Sequence, residues 1–233
     1  MRQIKIKMIS QQIEINGDEA KHLIYSLRSK VGEKISVVDE NNQRALIELV
    51  DFSKDKIIGR LIEYLPQKKS DSITLAVAIP KRGLDEIVRQ ATEIGVLAIQ
   101  PLLTDRTVAK PSTAKQERWQ RIAKEAAEQS GAFEPTIKNL ISLNEFLNQS
   151  KGQLILCSEI EQEIFLNKIN LAEEVTILIG CEGGFSEREF EMLKNSGALS
   201  ISLGENILRV DTAAIVALST VKFIKKFVEK FVD

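Results

Sequence analysis

The sequence predicts an α/β chain in two parts, a small β-barrel followed by a mainly parallel sheet covered by helices. Three observations predict it. Short strand candidates crowd the first 65 residues, a polar stretch from Pro66 to Ser72 breaks the pattern, and strands alternate with helices from Ile73 onward.

In the first part, strand candidates lie at Ile4 to Ile9, Gln12 to Ile15, Lys34 to Glu40, Arg44 to Phe52 and Ile57 to Tyr64. Short polar connections at Asp39 to Asn42 and Ser53 to Lys56 read as hairpin turns. One helix is expected over Asp18 to Arg28, its acidic residues in the first turn. Five short strands with one helix suggest a barrel. The proline, lysines and serines of Pro66 to Ser72 read as an exposed connection, so the domains are taken as 1–70 and 71–233.

In the second part, Ile73 to Ile79, Val96 to Leu103, Gln153 to Cys157, Val175 to Ile179 and Leu199 to Leu203 are near-continuous apolar runs, as strands buried on both faces should be. Leu84, Ile87, Val88, Ala91 and Ile94 follow helical spacing, and Gly95 is placed to end that helix. Trp119, Ile122, Ala123 and Ala126 repeat the spacing on the next one. Strands alternating with helices argue for a parallel sheet with helical cover.

Composition narrows the function classes. With 43% hydrophobic and 28% charged residues the chain can bury a core and is not a disordered polymer. A net charge of -1 argues against coating nucleic acid by bulk electrostatics, although a local basic patch can still meet a phosphate backbone. Cys157 and Cys181 form neither a CxxC pair nor a dense framework, so no disulfide scaffold and no metal site are expected. The N-terminal segment lacks the apolar core of a signal peptide, and no apolar run approaches the length of a membrane span. A reducing, cytoplasmic setting without a membrane partner is expected.

Ligands of open parallel sheets bind beyond the carboxyl ends of the strands, which directs attention to two loops. In Val175 to Phe185 an apolar strand runs into Gly180, Gly183 and Gly184, which let a ligand approach the backbone. Ser186 and Glu189 follow as a capping box, so this loop opens onto a helix N-terminus with free amide donors. A tight strand-to-helix turn without a ligand fits the same residues. The order is not GxGxxG, and GxxxxGK[ST] is absent, which disfavours NAD enzymes and P-loop NTPases. In the second loop, Leu199 to Ala214, another strand ends in glycine and the next helix starts late, capped by Asp211 or Thr212. Glu205 to Val210 is then irregular, apolar at Ile207 and Leu208 yet carrying Arg209. Unpaired backbone groups beside aliphatic side chains suit an adenine ring; a loop packed on its own core, with Arg209 paired to Asp211, is the alternative.

Taken together, IGCEGGFSEREF, LGENILRVDTA, LDEIVRQATEIGV with IQPLLTDRTV after it, and ERWQRIAKEAAEQS resemble the RsmE family of ribosomal RNA methyltransferases, with HLIYSLRSKVGEKISVVDE resembling the family's N-terminal domain. The resemblance implies a SPOUT-type parallel sheet with a C-terminal trefoil knot, preceded by a PUA-like β-barrel that binds RNA. It implies a homodimer that transfers a methyl group from S-adenosylmethionine to N3 of a uridine in 16S ribosomal RNA, within the small ribosomal subunit. It also implies that Ile179, Gly180, Cys181, Glu182, Gly183 and Gly184, with Leu203, Gly204, Ile207, Leu208 and Arg209, hold the cofactor.

The chain departs from the family pattern at four positions. Cys181 replaces a proline of the glycine loop, Asp211 a glutamate, Gln90 a lysine, and Ala132 an arginine. Cys181, Gln90 and Ala132 motivate the alternative of a catalytically silent RNA-binding SPOUT protein. For uracil N3 to become a nucleophile, its proton must leave or the developing anion must be stabilised. Arg209 can stabilise that charge, and Glu182 or Asp211 can accept the proton; each acid also has a structural reading, as a cap of backbone amides. Lys81, Arg82, Arg106, Arg118 and Arg121 are candidates for RNA contact. Lys124 reads as a solvated face, since Glu117, Glu125 and Glu128 share its helix, and His22 as a packed or capping residue. A last helix, Ala213 to Phe231, is expected to pack in the core or a dimer interface.

Overall fold

The computed structural model describes residues 3–41, 43–53, 56–66, 72–108, 113–161 and 163–229. The chain divides into two compact units, Met1–Lys69 with Ala127–Gly131, and Ser70–Ala126 with Ala132–Asp233.

The first unit runs β1 (Gln3–Lys5), β2 (Gln12–Asn16), α1 (Gly17–Lys21), a π-helical turn (His22–Ser26), β3 (Lys34–Val38), β4 (Arg44–Ser53) and β5 (Lys56–Leu65). Its five strands form a curled sheet in the order β1-β3-β4-β5-β2, parallel between β1 and β3 and antiparallel elsewhere. Alternation decides which side faces inward: Ile13 and Ile15 of β2, Ala45, Ile47 and Leu49 of β4, and Ile57 of β5 meet in one core with Ile35 and Val37. Shifts of register at Leu46/Ile47 and Leu49/Asp51 bend the long β4–β5 pair. A Cβ on Gly59 would meet Ile47 Cδ1 at 2.6 Å, so the glycine leaves room for the Ile47 side chain over β5.

Three expectations for this unit are corrected. β1 stops at Lys5, although Ile6 and Ile9 remain buried and the Ile6 N–H donates to the Val38 carbonyl at 2.8 Å. The helix expected over Asp18 to Arg28 is α-helical only to Lys21. It widens into the π turn, in which the Leu27 N–H donates to the His22 carbonyl at 3.0 Å, and Arg28 turns the chain away with φ +51°. Ala20, Leu23, Ile24 and Leu27 all reach the core this way. His22 is exposed rather than packed, and of its two expected roles it takes the capping one, its N–H donating to the Asp18 and Glu19 carbonyls at the end of α1. The expected turns at 39–42 and 53–56 include residues 42, 54 and 55, which lie outside the described residues.

From Ile73 onward the chain runs β6 (Ile73–Ala78), α2 (Leu84–Ile94), β7 (Ala98–Leu103), α3 (Thr113–Ser130, its residues from Ala127 counted in the first unit), β8 (Thr136–Ile137), β9 (Ile141–Ser142), α4 (Leu143–Gln149), β10 (Gln153–Cys157), a 3-10 turn (Leu166–Lys168), β11 (Val175–Ile179), α5 (Glu187–Asn195), β12 (Leu199–Ile201) and α6 (Val210–Glu229). The strands run in parallel in the order β12-β10-β11-β6-β7-β8, with β9 also beside β7. Odd-numbered residues of β6 and β11, among them Leu75, Val77, Val175 and Ile177, pack under α2, α3 and α6. Ala76 and Leu178 turn to the opposite face, against Leu143 and Phe146 of α4 and Leu193 of α5. Both faces are buried, and for that reason these strands read as unbroken apolar runs.

Gly95 ends α2 in the left-handed region, its N–H donating to the Ala91 and Thr92 carbonyls. Not expected were β8, β9, α4 and the 3-10 turn. The two short strands are held from the side: Gln100, 3% exposed, donates its amide to the carbonyl of Asn139 in the connection between them. Helix α6 begins at Val210, earlier than expected, because the Arg209 carbonyl accepts the Ala213 N–H at 2.8 Å. Asp211 therefore lies in the first turn, where its charge meets the positive end of the helix dipole and its carboxylate accepts the Thr212 N–H at 2.9 Å. Phe231 lies outside the described residues.

After β12 the chain lies between the end of β10 and the loop that follows β10. Ser158 N–H donates to the Ile201 carbonyl at 3.0 Å, and Ser202 N–H to the Ile164 carbonyl at 2.7 Å, with Phe165 bridged to Ser202. Beyond this passage α6 packs on β6, β11 and α2.

Candidate functional site

The strands β6, β7, β10, β11 and β12 all deliver their outgoing loops to one cavity of about 820 Å³. Pro80 and Arg82 come from the loop after β6, Arg106 from that after β7, and Ser158 to Ile160 from that after β10. Gly180 to Glu182 with Gly184 follow β11, and Leu203 with Gly204 follow β12. The size is that of a small-molecule site, and the position is that expected of a ligand on an open parallel sheet.

The loop after β11 is a tight turn. Gly184, with φ +68°, donates its N–H to the Cys181 carbonyl at 2.8 Å, and the Cys181 thiol lies 3.7 Å from the Gly184 carbonyl. A Cβ on Gly180 would stand 3.0 Å from Gly184 Cα, so any larger residue would press the turn apart by a few tenths of an ångström. Both carboxylate oxygens of Glu182 accept the main-chain N–H of Lys81, at 2.9 and 3.2 Å, which ties this turn to the loop after β6. The adjoining capping box is complete: Ser186 Oγ accepts the Glu189 N–H, and the Glu189 carboxylate accepts the Ser186 N–H at 2.9 Å.

The loop after β12 is open where the first is closed. Among the described residues, no main-chain N–H from Glu205 to Arg209 has a hydrogen-bond partner. Ile207 is 81% exposed and lines the cavity with Leu208. Unpaired amides and carbonyls beside aliphatic side chains present both an edge and a face to a planar heterocycle. Arg209 is solvated and faces Asp211, Nε to Oδ1 at 3.6 Å, so the pairing anticipated as an alternative does form.

A family described as an RNA methyltransferase domain matches residues 67–222, and one described as an RNA methyltransferase PUA domain matches residues 15–62. The chain is 30% identical to the ribosomal RNA small subunit methyltransferase E of Bacillus subtilis over 247 residues, covering 96% of each chain. The chain belongs to the ribosomal RNA small subunit methyltransferase E family. Its counterpart in Synechocystis is 32% identical over 226 residues, 92% of this chain and 74% of that one. A methyltransferase of Legionella pneumophila, solved with S-adenosylmethionine bound, is 27% identical, has a TM-score of 0.81 and covers 95% of this chain and 97% of its own. The fold of this family, a SPOUT-type parallel sheet joined to a PUA-like unit, is that described above.

Of the residues expected at the cofactor and the reacting base, Ile179, Gly180, Cys181, Glu182, Gly184, Leu203, Gly204, Ile207, Leu208, Arg209 and Asp211 all line the cavity. Gly183 does not; it turns outward, against Arg106. Of the basic residues expected to meet RNA, Arg82 and Arg106 line the cavity and Lys81, Arg118 and Arg121 do not. Arg118 is paired with Asp85 at 2.6 Å, and Trp119 Nε1 donates to the same carboxylate at 3.0 Å. Gln90, where the family pattern has lysine, donates to Glu86 at 2.8 Å.

Sequence reasoning missed Asp105. Its carboxylate accepts from Ser186 Oγ at 2.6 Å and from Arg188 Nη2 at 2.7 Å, and those two partners, Arg188 foremost, hold it below the usual carboxylate range. Its position at a strand end was the available signal. Burial pushes the Cys157 thiol up to about 12, so it lines the cavity as a neutral group. Among the described residues no cluster of His, Cys, Asp or Glu can hold a metal ion, and no helix is long and apolar enough to cross a membrane.

Proposed function

We propose that this chain transfers the methyl group of S-adenosylmethionine to N3 of a uridine in 16S ribosomal RNA. The observation that carries the reading is the cavity between a closed glycine turn and an open segment with unpartnered amides at 205–209. These residues fit the cofactor: backbone edges and Ile207 and Leu208 for adenine, and a volume within the range of about 300–1,000 Å³ typical of such sites. Kinship with the E-type methyltransferases, and a relative solved with S-adenosylmethionine, support it further.

Bound there, S-adenosylmethionine supplies an electrophilic methyl group on a sulfonium. The chain's part is to align an acceptor and manage one proton. The Arg209 guanidinium, held at the cavity wall, stabilises negative charge growing on the uracil. Both oxygens of Glu182 share the Lys81 N–H, whereas Asp211 places Thr212 N–H and Arg209 Nε on one oxygen and has no partner for the other among the described residues, which favours Asp211 as proton acceptor. Incubation with labelled cofactor and unmodified small ribosomal subunits tests the reading. Label on N3 of a uridine is expected, and label absent from RNA or on another base would overturn it.

The same reading assigns residues 1–70 to RNA binding and 71–233 to methyl transfer, in the cytoplasm; transfer by 71–233 with undiminished RNA affinity, or recovery of the protein outside the cytoplasmic fraction, would contradict it. It includes a trefoil knot, supported by the passage of Ile201 and Ser202 between Ser158 and Ile164 and by α6 packing on β6 and β11 beyond it. An experimental chain trace with α6 outside the Ser158 to Glu174 loop would refute that. It also includes a homodimer, supported by exposed Ile207, Val216 and Phe223 along the end of the chain. Sedimentation at the mass of one chain would refute the dimer.

A further inference from the structure

We infer that Arg106 is a positioning residue for the cofactor turn rather than a phosphate ligand, an inference that rests on the cofactor reading above. Its guanidinium Nη1 donates to the Gly183 carbonyl. Its stem lies along the same residue: a Cβ on Gly183 would stand 3.2 Å from Arg106 Cδ and 3.5 Å from its Cβ. A side chain at 183 would press on the arginine, which reaches the turn from the cavity rim. Gly183 faces outward, while its neighbours Glu182 and Gly184 face the cavity. Fixing the 183 carbonyl fixes the peptide planes through which those neighbours present themselves to a ligand.

The arginine is itself carried on a braced support. Thr107 N–H donates to the Thr104 carbonyl at 3.0 Å, and the Thr107 hydroxyl accepts the Thr104 N–H at 3.1 Å, closing a short turn around position 106. Asp105, the residue before it, is anchored through its N–H to Glu189 and through its carboxylate to Ser186 and Arg188. A cation kept for phosphate would leave its donors to the ligand. Arg106 is exposed, but its Nη1 is spent on a neutral carbonyl and its stem runs along Gly183, so the loop after β7 acts on the cofactor turn through Arg106.

Three variants test this in the full chain: Arg106→Met, which keeps the stem and removes the donors; Arg106→Lys, which keeps one donor; and Gly183→Ala, which displaces the stem with the arginine intact. Calorimetry with S-adenosylmethionine and the salt dependence of binding to transcribed 16S ribosomal RNA are the readouts. Arg106→Met and Gly183→Ala are expected to weaken cofactor binding on the order of tenfold. Arg106→Lys should recover most of that loss, and the slope of log K for RNA against log salt should stay unchanged in all three. Cofactor affinity in Arg106→Met within twofold of the unaltered chain, or a slope reduced by about 1, would make Arg106 a phosphate ligand and overturn the inference. An unaltered chain that binds no S-adenosylmethionine would defeat the cofactor reading itself, and this inference with it.

Discussion

Glu189 accepts the main-chain N–H of Asp105 at 2.7 Å although 84 residues separate them in the chain. The other oxygen of the same carboxylate caps α5 by accepting the Ser186 N–H. One side chain, 2% exposed, thus joins the loop after β7 to the helix that follows the glycine turn.

Replacing Glu189 by alanine leaves both amides without their partner. The expected cost is about 2–3 kcal/mol of unfolding free energy, from a lost capping box and a buried donor left unpaired. Glu189→Gln, with one acceptor oxygen, should lose about half as much. Urea titration checks both, and equal losses for the two variants would contradict the double role.

Acid should expose the Asp105 pairing. Its folded-state pKa is depressed by Arg188 and Ser186, so the contribution is complete above the unfolded value near 3.9 and disappears as pH falls through the folded value. The unaltered chain should exceed Asp105→Asn in unfolding midpoint by a constant margin between about pH 5 and 8. That margin should narrow below about pH 3.9. Midpoints measured from pH 2.5 to 8 check this; a margin unchanged at pH 3 would remove Arg188 and Ser186 as its source.

Arg209→Ala is expected to slow methyl transfer about tenfold to a hundredfold, less than the loss of a buried oxyanion donor because this head group is solvated. The side chain is 87% exposed and among the described residues pairs only with Asp211, so stability should hardly change. Single-turnover rates beside calorimetry separate the effects. Weakened cofactor affinity with an unchanged rate would make Arg209 a binding residue.

The two cofactor loops should respond differently to added methyl groups. Gly204 has φ +129° with open space around it, so Gly204→Ala meets no neighbour but strains the backbone by about 1–3 kcal/mol. Gly180→Ala has no such strain and instead drives a Cβ against Gly184 at 3.0 Å, opening the turn. Both should weaken S-adenosylmethionine binding about tenfold or more, with the larger stability loss at Gly204. Calorimetry and thermal unfolding of the two variants together check the assignment.

Local chemistry made much of this protein readable before any coordinates. The runs at Ile73 and Val175 read as central strands because burial on both faces demands apolar residues without alternation. Leu84 to Gly95 read as a helix with its terminator, and Ser186 with Glu189 as a capping box, because each is a short-range pattern that the backbone itself requires. The glycine loops were legible for the same reason. Strands β8 and β9, two residues each, were not, since they exist through Gln100 and their pairing with β7 rather than through any period of their own. Nor was the start of α6 at Val210, where the Arg209 carbonyl rather than a side-chain cap opens the helix. What the chain's own order of residues determined was therefore most of the elements and two of the five loops that line the cavity. Only tertiary structure decided that Glu182 is engaged by Lys81, that Gly183 turns outward against Arg106, and that Asp105 meets Glu189. Those pairings span 77 to 101 residues, and periodicity carries no information about which distant partners a folded chain brings within hydrogen-bonding reach.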